Sequence, residues 1–190
     1  MTVTPMALWT ARARAAGPQR VPVGTPAAEG LLRLVEPDAS AVWLVRDQPE
    51  TAGPGLLDEL GLAGPPVEQP NDTARVLAAV LRCCWADPTG PIWPGAVACW
   101  PAVTSVFRAF ADRDEGAFRR AAVAAVRRLH GSGWVLWDEP GQQVRLGPRV
   151  ATWSQADLTV LREVHRQMPP PAPATPTSPA APSSPAEADA

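Results

Sequence analysis

Apolar residues recur every three to four positions through much of the second half of the chain, and that spacing predicts a run of amphipathic helices. From Asn71 onward, Val76 and Leu77, Val80 and Leu81, and Cys84 and Trp85 repeat at the interval of one helix face. Asn71 or Asp72 supplies the N-cap, and Asp87 with Pro88 stops the helix. A connector rich in Pro and Trp then leads to a second helix over Pro101 to Ala111, with Val103, Val106, Phe107 and Phe110 on one side. Asp114 caps a third over Glu115 to His130, striped by Phe118, Ala122, Ala125, Val126 and Leu129 and ended by Gly131. Two short strands, Gly133 to Trp137 and Gln143 to Leu146, flank Glu139-Pro140-Gly141-Gln142, whose Pro and Gly suit a type II turn. In the fourth helix Ser154 and Asp157 make a capping pair, Trp153 is placed to staple onto Leu158, and Leu158, Leu161, His165 and Met168 share a face until Pro169.

The first half carries weaker patterns. Met6 to Ala16 can make a short helix, and Thr25 with Pro26 opens another to Val35, weakened by Gly30. Ala41 to Arg46 reads as a strand from its β-branched and aromatic residues, and Leu56 to Leu60 makes a turn or two of helix. From Pro169, eight prolines among Ala, Ser and Thr cannot bury enough apolar surface to offset the entropy of ordering. Four segments follow: a flexible 1–24, a small α/β extension over 25–70, a helical domain with a hairpin over 71–168, and a disordered tail over 169–190. The expected fold class is mainly α with a small β-hairpin.

Charge sharpens this division. All 17 basic residues are Arg, which with the abundance of Ala and Pro suggests a GC-rich genome, so Arg content alone says little about nucleic acid. By position, Met1 to Asn71 carries five Arg against eight acids, whereas Thr73 to Met168 carries twelve against eight. The helical half is mildly basic and the front half acidic. Three cysteines, two of them adjacent, form no disulfide framework, and no apolar run approaches the roughly 20 residues of a membrane span. Cytoplasm is the expected compartment.

The order helix, helix, helix, two strands, helix, together with the text "AAVRRLHGSGWVLWDEPGQQVRLGPRV", resembles the third helix and wing of winged helix-turn-helix proteins. The elements that carry the resemblance are Leu129, Gly133, Trp134 to Trp137, Glu139 to Gln142 and Val144 to Pro148. It spans about 72–168 and implies that the third helix meets a partner, in DNA-binding members by entering the major groove. On that reading Arg119, Arg120, Arg127, Arg128 and Arg145 are the candidate DNA contacts. The tip, Asp138-Glu139, is negative where a DNA-reading wing presents cations, which opens a second reading. There Trp137, Asp138 and Glu139 contact a protein partner.

Catalytic patterns are poor. Gly131-Ser132-Gly133 is not a nucleophile elbow, no phosphate-cradling Gly-rich motif with Lys exists, and Lys and Tyr are absent altogether. Adjacent Cys83 and Cys84 point about 100° apart on a helix and match no zinc-ligand spacing. The expectation is therefore a non-enzymatic bacterial binding protein without metal or cofactor, acting on duplex DNA in transcription regulation through helix 115–130. The alternative is a winged-helix subunit that joins a protein assembly or a homodimer. Nothing in the sequence points to a membrane or a small-molecule ligand.

Overall fold

The computed structural model describes residues 12–13, 17–47 and 71–172. They form a mixed α/β structure with four α-helices and two three-stranded antiparallel sheets. The expected helices at Met6 to Ala16 and Leu56 to Leu60 fall outside the described residues, apart from Arg12 and Ala13, as does the tail beyond Ala172.

The first sheet comprises β1 (Gln19–Val21), β2 (Leu31–Val35) and β3 (Val42–Arg46), with β3 in the centre. The helix expected from Thr25 to Val35 is not formed. Its first half makes turns closed by Thr25 N–H to Pro22 O and Leu31 N–H to Ala28 O. Gly30, at φ +77, then launches Leu31–Val35 as a strand in register with β3, Leu31 opposite Arg46 and Val35 opposite Val42. An apolar run such as Leu-Leu-Arg-Leu-Val satisfies either period, and the available partner strand decides it. Val21, Leu31, Val42 and Leu44, joined by Ala13, make a small core of their own.

The larger core belongs to α1 (Asp72–Cys84), α2 (Trp100–Arg108), α3 (Glu115–Gly131) and α4 (Gln155–Gln167) with the second sheet. The three expected N-caps close as drawn: Asn71 accepts from Ala74 N–H, Asp114 from Ala117 N–H, and Ser154 forms a full capping box with Asp157. Val76, Val80, Val103, Phe107, Ala125 and Val126 are almost completely buried where α1, α2 and α3 meet. Phe107 stacks on Phe118 with ring centroids 4.9 Å apart.

The hairpin is one strand larger than its sequence suggests. Two residues of the Pro-rich connector, β4 (Ala98–Cys99), pair with β6 (Gln143–Leu146), which in turn pairs with β5 (Val135–Asp138). The tip is not a type II turn, because the left-handed residue is Gln142 at φ +49 rather than Gly141. At the end of α3 the left-handed glycine is Gly133, at φ +79, and Gly131 stays helical. Gly147 admits no side chain at all: a Cβ there would lie 2.2 Å from Gly133 O. The chain leaving β6 crosses that backbone, with Gly147 N–H donating to Trp134 O at 2.8 Å, and enters a 3-10 turn, Pro148–Thr152. Trp153 stacks on Trp134 with centroids 5.1 Å apart.

α4 docks on α1 through polar clamps as much as apolar ones. Leu158 and Leu161 pack against the core, His165 is buried edge-on to Trp85, and Arg162 Nε donates to Pro88 O at 2.8 Å. No helix among the described residues is long and apolar enough to cross a membrane.

Candidate functional site

α3 buries Phe118, Ala122, Ala125, Val126 and Leu129, so its opposite face is set by helical spacing. That exposed face carries Gly116, Arg120, Ala124, Arg127 and Gly131. Small residues between the arginines leave the helix backbone open to close approach, and the hairpin stands beside its C-terminal half.

The candidate cations differ in how far the chain itself engages them. Arg119 lies 3.5 Å from Glu115, one turn earlier on α3. Arg127 Nη2 donates to Glu139 Oε1 at 2.8 Å and holds its guanidinium 6.0 Å from the Trp137 ring centre, tying the helix to the hairpin tip. Arg128 donates to Thr73 Oγ1 from Nε and Nη2, at 3.1 and 2.9 Å. Arg145 lies 3.5 Å from Glu36 in the N-terminal half. Arg120 alone of the five has no hydrogen bond or ion pair among the described residues. Exposed pairs such as Arg127 with Glu139 are worth about 0–1 kcal/mol, so they bias the arginines without locking them.

Of the residues expected at a protein contact, Asp138 and Glu139 are exposed. Trp137 is half-buried instead, its ring 5.7 Å from that of Trp100 and its indole N–H buried without an acceptor. Its backbone N–H donates to Nδ1 of His130, which joins the end of α3 to β5.

Glu36 was not singled out by sequence. It is only 6% exposed and sits where β2 turns toward β3. Its Oε1 accepts from Arg20 Nε and from Trp43 Nε1, each at 2.9 Å, while Oε2 accepts from Ser40 and faces Arg145. The Arg20 hydrogen bond leads in holding the Glu36 carboxyl below its ordinary range, against the opposing effect of burial. These partners are far apart in sequence, and no local pattern marks them.

Burial pushes Cys83 up to about 11 and Cys84 up to about 12, so both are neutral near pH 7. Among the described residues no group of three His, Cys, Asp or Glu is placed to hold a metal ion. No protein-family model, curated protein or solved structure matches the chain.

Proposed function

We propose that this chain is a non-enzymatic winged-helix binding protein that docks a protein partner against the outer face of α3 and the hairpin tip. The order α1, β4, α2, α3, β5, β6, with β6 between β4 and β5, supports the winged-helix reading. The observation that carries the choice of partner is the internal pairing of the arginines. A surface built for phosphate concentrates uncompensated positive charge, whereas on this face Glu115 stands beside Arg119 and Glu139 beside Arg127. The resulting patch mixes Arg119 and Arg120 with Asp138 and Glu139, and mixed charge favours a partner of complementary pattern over a uniform polyanion.

The experiment is affinity capture from native lysate with the full chain as bait. A stoichiometric partner should be retained by wild type and by Arg166→Ala, and lost with Arg120→Glu or with Asp138→Arg. A partner held equally by all four baits would refute this surface.

DNA binding is the second reading, favoured by the unpaired Arg120 and by the small residues that would let α3 approach a groove. It requires binding to duplex DNA that falls steeply with salt and is lost when Arg120→Ala is combined with Arg127→Ala. Absence of binding at low salt would eliminate it.

A further inference from the structure

Between the N-terminal sheet and the hairpin sheet lies a cavity of about 400 Å³. That volume falls among small-molecule pockets, roughly 300–1,000 Å³. Trp43 from β3, with Leu136 and Trp137 from β5, supplies apolar wall.

The polar wall is rich in donors. Arg20 commits Nε to Glu36 and Nη2 to Ser40. Arg145, with its side chain only 26% exposed, has the 3.5 Å approach to Glu36 as its one polar contact among the described residues. A guanidinium offers five N–H donors, so most of those on Arg145 remain unspent. His130, also in the wall, accepts on Nδ1, which places the proton of its neutral ring on Nε2.

Acceptors are scarce by comparison. Glu36 is already engaged by Arg20, Trp43 and Ser40. Two guanidiniums, Arg20 and Arg145, share that single buried carboxylate, and Asp38 attracts both from the neighbouring turn. Asp138 contributes a carboxylate from an exposed position, where water screens it.

We propose that this cavity binds a small monocarboxylate with a flat apolar body. The Trp43 indole and Leu136 receive the body, and Arg145, assisted by His130, receives the carboxylate in a charge-assisted contact. Because the walls come from two different sheets, an occupant fastens the N-terminal sheet to the hairpin.

The test uses the full chain and calorimetric titration with 3-phenylpropanoate, its neutral amide 3-phenylpropanamide, and acetate. Saturable one-to-one binding of 3-phenylpropanoate is expected, with the amide and acetate each weaker by at least about tenfold. Arg145→Gln should weaken 3-phenylpropanoate by a similar factor. Leu136→Trp, which leaves Arg145 in place and fills the cavity, should abolish binding; both variants are first checked for the wild-type circular dichroism spectrum. Equal affinity for acid and amide in the wild-type chain overturns the assignment. So does undiminished binding by Leu136→Trp, or no saturable binding up to the solubility limit.

Discussion

Glu36 concentrates more of the molecule's polar chemistry than any position singled out by sequence pattern, since one buried carboxylate serves Arg20, Trp43, Ser40 and Arg145. Its carboxyl is held below the ordinary value of 4.5, chiefly by the Arg20 hydrogen bond. The unfolded chain therefore takes up the proton first on acidification. The stabilisation is complete above pH 4.5 and is lost as pH falls through the lowered folded value. Thermal unfolding followed over an acid series should show the wild-type melting temperature dropping below pH 4.5. Glu36→Gln should start lower at pH 7 and show a shallower drop; parallel curves would mean that other carboxylates govern the acid limb. Sequence could not reveal this residue, because its function depends on Arg145 arriving from the far half of the chain.

At the scale of elements, legibility followed locality. Asn71, Asp114 and Ser154 announced three helix starts correctly because an N-cap involves residues only three positions apart. The helix expected over Leu31–Val35 is a strand, and β1 and β4 carry no local pattern of their own, because strands of two to five residues take their identity from partners elsewhere. The crossing at Gly147 was equally hidden. A methyl group there meets Gly133 O, which is backbone and cannot swing aside, so Gly147→Ala should cost roughly 1–3 kcal/mol or more. Denaturant unfolding would measure it, and a cost within a few tenths of a kcal/mol would show that the crossing opens freely. α4 carries a pH dependence of its own. Burial is the leading cause that lowers the His165 pKa below 6.5, with the charge of Arg82 adding to it. Here the unfolded state binds the proton more readily, so stability declines as pH falls below 6.5 toward the folded value. Wild type should lose thermal stability over that range, and His165→Gln should lose less of it; identical slopes would assign the effect elsewhere.

For the whole molecule, the described residues bury two separate apolar cores. One comprises Ala13, Val21, Leu31, Val42 and Leu44, and the other is the much larger cluster around Trp85, Phe107 and Leu146. What joins them is mainly polar or peripheral: Arg145 with Glu36, Pro18 lying over Gly133, and β3 against the 3-10 turn. A core of so few side chains offers little to oppose the conformational entropy of three short strands, so the first sheet should open more readily than the helical core. Hydrogen exchange of the full chain should therefore resolve two classes of amides. Those paired in β1, β2 and β3 should exchange at least about tenfold faster than those within α1 and α3, a difference of about 1.4 kcal/mol or more in opening free energy. Glu36→Gln should accelerate the first class and leave the second unchanged, because Arg20, Trp43 and Ser40 lie within the first sheet and its turn, and none of its partners enters the large core. Uniform protection, or equal acceleration of both classes, would mean that the two cores unfold as one cooperative unit.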